Sequence, residues 1–136
     1  MQASDAPDWS AFARGVRTAR RKRDEGLLAT LFSTRTLGLT GQLAPHAQGD
    51  YLSGLLIGHE LNALEALLGG QHASLAALAP RLVGEGALCD RYRRALAEFG
   101  CGDARIVERA SERGLWRIAV QAGLVGAACD APLAPQ

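Results

Sequence analysis

The segment from Leu82 to Leu88 is the part of the chain whose residue types and spacing best suit ligand binding. Its order, Leu-Val-Gly-Glu-Gly-Ala-Leu, is typical of a strand that ends, a glycine turn and a helix that begins. A helix start presents unpaired backbone N–H groups and the positive end of the helix dipole. Glycine in turn lets a flat ring or a phosphate approach the backbone. The same pattern also serves as a plain connector in α/β proteins, and it is neither a Walker A loop nor a complete GxGxxG fingerprint.

A run of basic residues near the N-terminus is the second feature that could carry chemistry. Six positive charges and no acid lie between residues 14 and 23, although the whole chain has a net charge of only +1. A cationic helix face of this kind can contact nucleic acid, but no aromatic residue stands between the arginines as a stacking platform. We expect a solvated face, or one paired with acidic groups, and we predict no nucleic-acid partner.

Metal binding and nucleophilic catalysis have little support in the residue pattern. His59-Glu60 lacks the second histidine of an HExxH zinc motif, and the three cysteines form no CxxC pair. We therefore predict no metal ligands and reduced thiols, and we assign no catalytic residue. Arg35 follows an apolar helical stretch, where a guanidinium either clamps an anion or complements the negative end of the helix.

Most of these residues are expected to lie on helices. The chain has 25 Ala and 21 Leu, which favour helix, but only 8 Val and Ile together, which favour strand. Hydrophobic spacing predicts helices over residues 9–24, 26–36, 50–68, 73–78, 87–99 and 111–124. Two short strands, 81–83 and 105–107, alternate with the last helices and predict a parallel pair. Because two strands do not form a stable isolated sheet, we expect further strands outside this chain. The predicted class is a helix-rich α/β fold.

The predicted helix over residues 50–68 has an unusual pair of glycines. Asp50 is expected to cap it, and Gly54 and Gly58 lie four residues apart on one face. Glycine inside a helix costs about 1 kcal/mol relative to alanine. The pair therefore predicts the close approach of another backbone or of a ligand.

Composition sets the remaining limits. A chain of 136 residues with 48% apolar residues suits one domain, or part of a larger one. Its apolar stretches are shorter than the roughly 20 residues of a membrane span. The N-terminus lacks the basic and apolar regions of a secretory signal. We predict a cytoplasmic protein with no membrane partner.

Three segments together carry a resemblance to a known family. They read LFSTR at 31–35, YLSGLLIGHE at 51–60, and LVGEGALCDRY at 82–92 followed by ALAEFGC at 95–101. In this order and spacing they resemble the C-terminal part of 2-dehydro-3-deoxygalactonokinases, the sugar-acid kinases of galactonate breakdown. The resemblance covers residues 12–125. It implies an actin-like, hexokinase-like ATPase fold whose two ribonuclease-H-like domains close on ATP and the sugar acid.

The resemblance also implies roles for individual residues. Gly84, Glu85, Gly86 and Leu88 match the family's adenosine motif and would border adenine and ribose. Glu85 departs from the small or hydroxyl residue that is usual there, and its carboxylate would accept ribose hydroxyls but repel phosphates. On the two earlier segments, the candidate cleft residues are Arg35, Gly54, Gly58 and Glu60.

The family's phosphate-binding equipment does not occur in these residues. The Asp-Gly hairpin and the Gly-Thr-His loop of the family's N-terminal domain have no counterpart here. We therefore expect residues 8–125 to be an incomplete, nucleotide-side kinase domain, between a disordered N-terminus (1–7) and a flexible tail (126–136). ATP is the implied cofactor, with Mg²⁺ held mainly by groups outside the chain, and the chain alone is expected to be inactive.

Two further interpretations stay open. The chain is expected to pair with the missing N-terminal half, with a partner subunit or with a second copy. Alternatively, it is a non-catalytic helical module that binds another protein through exposed apolar surface.

Overall fold

The computed structural model describes residues 6–126, and this part of the chain is predominantly helical. The helices are α1 (Trp9–Arg21), α2 (Leu27–Leu39), α3 (Gln48–Gly69), α4 (Gly86–Glu98) and α5 (Ala110–Gln121), and the strands are β1 (Arg81–Leu82) and β2 (Arg105–Ile106). Single 3-10 turns occur at Arg23–Glu25, Pro45–Ala47 and Leu75–Ala77. Residues 1–5 and 127–136, where most of the expected disordered N-terminus and flexible tail fall, lie outside the described residues.

Helix α1 begins where the sequence predicts. The Asp8 side chain caps it by accepting a hydrogen bond from the Ala11 N–H at 2.9 Å. The apolar face of this helix packs into the core, with Phe12 at 1% and Val16 at 0% exposure and Trp9 partly buried. Gly15 is also buried on this helix, although it has no side chain to contribute to the core.

Helices α1 and α3 cross at backbone contact. A Cβ placed on Gly54 would lie 2.1 Å from the Phe12 carbonyl oxygen, and one on Gly15 would lie 2.2 Å from the Tyr51 carbonyl oxygen. A Cβ on Gly58 would meet the Ala19 Cβ at 2.7 Å. Of the two explanations for the glycine pair on α3, close approach of another backbone is therefore confirmed.

The core lies on both sides of this crossing. One buried cluster joins α1 and α3 to α4 and to the segment that follows it. Its members are Phe12, Val16, Ile57, Leu61, Leu75, Ala95, Leu96, Phe99, Cys101 and Ala104. A second cluster lies toward the loop before α3 and contains Ala11, Ala19, Leu43, Ala47, Tyr51 and Leu55.

The prediction that Asp50 caps α3 is wrong. The helix begins at Gln48, and Asp50 stands in its first turn. Its carboxylate instead accepts from the Asp8 N–H at 2.7 Å and from Arg91 Nη2 at 2.7 Å. Asp50 on α3 therefore connects that helix to the start of α1 through Asp8 and to α4 through Arg91.

Helix α2 is attached to α3 by side-chain hydrogen bonds. The Thr30 hydroxyl lies 2.6 Å from His59 Nε2, and the Ser33 hydroxyl lies 3.1 Å from the Tyr51 hydroxyl. Thr30 is the buried residue of α2, whereas Leu28 and Phe32 remain 73% and 69% exposed. Partial burial disfavours the charged form of His59 and therefore lowers its pKa.

The two strands form a parallel pair, as predicted. Arg81 is aligned with Arg105, and Leu82 with Ile106. The helix-rich content with one parallel pair agrees with the predicted α/β class. In the described range, the chain divides into one compact unit up to Ile106 and a second from Val107, which contains α5. No helix within residues 6–126 combines the length and apolar character that crossing a bilayer requires.

Candidate functional site

The predicted strand-turn-helix arrangement is present and borders a cavity. Strand β1 ends at Leu82, and α4 begins at Gly86. A cavity of about 270 Å³ opens beside this turn. Its walls are Arg81, Leu82, Val83, Gly84, Leu88, Cys89 and Tyr92. Two of the four predicted adenosine-site residues, Gly84 and Leu88, thus line one cavity, and Glu85 and Gly86 lie between them in sequence.

Glu85 occupies the start of α4 with its own carboxylate. Oε1 accepts from the Ala87 N–H and Oε2 from the Leu88 N–H, both at 3.0 Å. These two hydrogen bonds lower the pKa of Glu85, because backbone donors stabilise the charged carboxylate. The expectation of free N–H groups at this turn is therefore wrong for these two amides. A phosphate would have to displace a fixed negative charge to reach them.

The glycines of the turn leave open space beside the backbone. A Cβ on Gly84 would meet only the Cys89 Sγ, at an ordinary contact distance of 3.5 Å, and a Cβ on Gly86 would meet nothing within 4 Å. Neither glycine has a positive φ. The folded chain therefore gives neither position a steric or conformational reason to be glycine, unlike Gly54 in the helix crossing.

Glu60, a predicted cleft residue, reaches the same cavity through Tyr92. The Tyr92 hydroxyl donates to Glu60 Oε2 at 2.5 Å. This bond to an anion, together with partial burial, raises the pKa of Tyr92 to about 12. The pair joins the middle of α3 to the cavity wall on α4 and gives that wall a fixed polar edge.

The raised pKa of Tyr92 gives a titration that can be measured. An unperturbed tyrosine ionises near pH 10, so between about pH 10 and 12 the folded state retains a proton that the unfolded state has lost. This contribution to stability is complete below pH 10 and disappears as the pH rises to about 12. We expect phenolate absorbance to show one tyrosine titrating near 12 in the native chain.

Two variants assign that signal. The chain has two tyrosines, and Tyr92→Phe should remove the late transition. Glu60→Gln should move it down toward pH 10, because an amide does not repel the phenolate. Identical titration curves for the native chain and Glu60→Gln would show that the hydrogen bond does not control the tyrosine.

The other predicted cleft residues lie elsewhere. Gly54 and Gly58 are buried under α1, whose backbone fills the space beside them. Arg35 is an exposed residue of α2 and is not among the residues that line the cavity. Of the four predicted cleft residues, only Glu60 contacts a residue of the cavity wall, and it does so through Tyr92.

The basic run on α1 is largely paired within the chain. Arg17 forms an ion pair with Glu98 at 3.1 Å, and Arg20 donates to the Glu98 carbonyl oxygen at 2.6 Å. Arg14 donates to the Gln42 carbonyl oxygen at 2.9 Å. Arginine donors at the end of α4 satisfy a terminal carbonyl and complement the helix dipole. These contacts support the expected paired face for this part of the run.

Three cavity residues lie outside the segment 82–88 that the sequence singles out for ligand binding, namely Arg81, Cys89 and Tyr92. The chain contained a usable signal, because residues three and four apart on a helix share a face. Leu88 was predicted to border a ligand, so Tyr92, four residues later, belongs to the same face. Cys89 is 4% exposed and lies beside Gly84.

Comparison with known proteins gives one match. The family model described as 2-keto-3-deoxy-galactonokinase matches residues 1–118. This agrees with the resemblance carried by the three segments, since "2-keto" and "2-dehydro" name the same ketone. No curated protein and no solved structure matches the chain.

Proposed function

Because the chain belongs to the 2-keto-3-deoxy-galactonokinase family, we propose that it supplies the adenosine-binding side of an ATP-dependent sugar-acid kinase. In the complete reaction, a hydroxyl oxygen of 2-keto-3-deoxy-galactonate attacks the γ-phosphorus of ATP as the bond from that phosphorus to the β-phosphate oxygen breaks. The products are the 6-phosphate ester and ADP, and the hydroxyl proton is released. We assign this activity to an actin-like, hexokinase-like ATPase fold, of which these residues form part.

The cavity beside the Gly84 turn is the observation that carries the proposal. Leu82, Val83 and Leu88 give it apolar walls that suit the faces of an adenine ring. The open space beside Gly84 and Gly86 allows a ring or a ribose to lie directly on the backbone. These features support adenosine as the part of ATP that the chain recognises.

Glu85 supports a division of the nucleotide between this turn and another site. Each carboxylate oxygen accepts one backbone N–H, and its second lone pair can accept a ribose hydroxyl. The same negative charge repels phosphates. We therefore propose that the ribose lies at Glu85 and that the triphosphate points away from the start of α4.

Mg²⁺ and the γ-phosphate are assigned to a part of the enzyme outside these residues. Phosphoryl transfer depends on positioning and on charge stabilisation by Mg²⁺ and donor groups. Within residues 6–126, no group of three or more His, Cys, Asp or Glu side chains is arranged to hold a metal. We propose that a phosphate-binding segment or subunit supplies this function and that the chain alone has negligible kinase activity.

A non-catalytic interaction module is the second candidate, and α2 favours it. Leu28, Phe32 and Leu39 are each more than two-thirds exposed on this helix. Such apolar surface is typical of a contact with another protein. This candidate predicts association in solution that adenine nucleotides do not affect.

Thermal melting with adenosine and with Mg-ATP tests the first candidate. A ligand that binds only the folded chain adds about 2.7 kcal/mol at 100 times its Kd. We expect both ligands to raise the melting temperature of the native chain, since both contain the recognised group. Gly84→Val should abolish the shift, because its methyl groups enter the cavity while its Cβ is accommodated beside Cys89.

Gly102→Val is the matched control, since a Cβ at Gly102 meets nothing within 4 Å and the residue does not line the cavity. It should retain the full ligand shift. If the ligands raised the melting temperature of Gly84→Val as much as that of the native chain, the nucleotide would have to bind somewhere other than this turn. A cooperative melt with no shift for the native chain would contradict an adenosine site in this chain.

A further inference from the structure

A second cavity, of about 360 Å³, lies between α1, α2 and α3 and is separate from the one beside Gly84. Its wall contains Arg14, Thr18 and Arg21 from α1 and Lys22 just after that helix, together with Ala29, Phe32, Ser33, Thr36 and Leu37 from α2 and Tyr51 from α3. Three of these side chains are cationic, and none is acidic. The composition of the wall therefore favours an anion.

The three cations are not equally engaged by the chain. Lys22 pairs with Glu25 at 2.6 Å, and Arg14 uses one Nη1 bond on the Gln42 carbonyl while its guanidinium lies 5.9 Å from the centre of the Tyr51 ring. The Arg21 side chain has no hydrogen-bond or ion-pair partner among residues 6–126. Arg21, together with the remaining donors of Arg14, is thus able to bind a carboxylate or a phosphate.

The hydroxyl groups of the wall are oriented as acceptors. Ser33 donates to the Thr30 carbonyl oxygen at 2.5 Å, and Thr36 donates to the Phe32 carbonyl oxygen at 3.2 Å. Since the Ser33 proton is committed, Tyr51 donates its own proton to Ser33 across 3.1 Å. Each of these oxygens keeps lone pairs but no free proton, so it complements a ligand hydroxyl that donates.

We propose that this cavity binds a small polyhydroxylated anion, with its anionic group at Arg21 and Arg14 and its hydroxyls at Ser33, Thr36 and Tyr51. The cations alone would accept any small anion. The acceptor oxygens add selectivity for an anion that carries several hydroxyl donors. The argument does not use the adenosine cavity, whereas equating this anion with the kinase's sugar-acid substrate rests on the proposed function.

Isothermal titration calorimetry of the full chain at low salt tests the proposal with four probes. Gluconate carries both features, acetate has only the carboxylate, glucose has only the hydroxyls, and inorganic phosphate is a compact anion. We expect gluconate to bind at least tenfold more tightly than each of the other three. Its affinity should fall as salt is added, because the anionic contact is at the surface.

Charge and hydroxyl variants separate the two halves of the site. Arg21→Gln should weaken gluconate binding at least tenfold, and Arg117→Gln, which removes an exposed arginine outside this cavity, should leave it unchanged. Thr36→Val should weaken gluconate binding without altering the weak phosphate binding. All three variants should unfold like the native chain, since Arg21, Thr36 and Arg117 are exposed.

Two results would overturn the proposal. Phosphate binding as tightly as gluconate, with no effect of Thr36→Val, would leave a simple anion site without hydroxyl selectivity. No heat from any probe with a folded chain would remove the site altogether. Gly84→Val distinguishes this failure from failure of the adenosine proposal, because gluconate binding should persist in that variant.

Discussion

Gly54→Ala is expected to destabilise the chain by about 3 kcal/mol or more. The added Cβ would lie 2.1 Å from the Phe12 carbonyl oxygen and 3.1 Å from the Val16 nitrogen, and both are backbone atoms of α1. No side-chain rotation relieves such contacts, so α1 must move away from α3. That movement opens the core around Phe12 and Val16, and a backbone clash of this kind falls at or beyond the upper end of the roughly 1–3 kcal/mol that overpacking usually costs.

Gly49→Ala is the matched control on the same helix. A Cβ at Gly49 meets nothing within 4 Å, so the substitution should be neutral or stabilising by less than about 1 kcal/mol, as helix propensity predicts. Urea unfolding followed by circular dichroism measures both variants. Equal midpoints for Gly54→Ala and Gly49→Ala would show that the two helices do not cross at backbone contact.

Asp50→Ala is expected to cost about 2–3 kcal/mol, because it leaves a largely desolvated cation without its counter-charge. The side chains of Asp50 and Arg91 are only 14% and 23% exposed, and they lie 2.7 Å apart. The Arg91 guanidinium also lies 5.6 Å from the ring centres of Trp9 and Phe12, and its Nη1 has no hydrogen-bond partner. Without Asp50, the Arg91 guanidinium would still be desolvated but would lose the ion pair that offsets most of that cost.

Two further variants isolate this interaction. Asp90 pairs with Arg93 and Arg94 on the more exposed face of α4, so Asp90→Ala should cost less than about 1 kcal/mol. The double variant Asp50→Ala with Arg91→Met should be less destabilised than the sum of its single changes, since it removes the unpaired cation as well. Additive effects, or equal losses at Asp50 and Asp90, would contradict energetic coupling between Asp50 and Arg91.

The elements that were predictable from sequence are those with a local cause. The hydrophobic spacing that predicts a helix from residue 9 acts within one or two turns, and this start of α1 is confirmed. The glycines that end β1 and begin α4 act locally too, so the turn was placed correctly. The parallel pairing of β1 and β2 followed from the strand-helix-strand order alone.

Asp50 shows why other features were not predictable. A carboxylate near a helix start is typical of a cap, and no local pattern distinguishes this from a long-range role. Its actual partners, Asp8 and Arg91, are about forty residues away on either side. The tertiary pairing of α1, α3 and α4 decides between the two roles.

The candidate site divides in the same way. The Gly84 turn is encoded within seven consecutive residues and was therefore visible in the sequence. The contact of Glu60 with Tyr92 spans 32 positions and depends on how α4 packs against α3. Gly54 and Gly58 carried a correct signal of close approach, but spacing alone does not distinguish a helix backbone from a ligand.

An NMR titration of the ¹⁵N-labelled chain with adenosine tests the central claim most directly, because it maps binding without requiring catalysis. We predict that the largest, saturable amide shifts fall within residues 82–92, with Ala87 and Leu88 among them, because their N–H groups report on Glu85. Saturable shifts confined to the arginines of α1, or no shifts at an adenosine concentration of several millimolar, would contradict an adenosine site at the Gly84 turn.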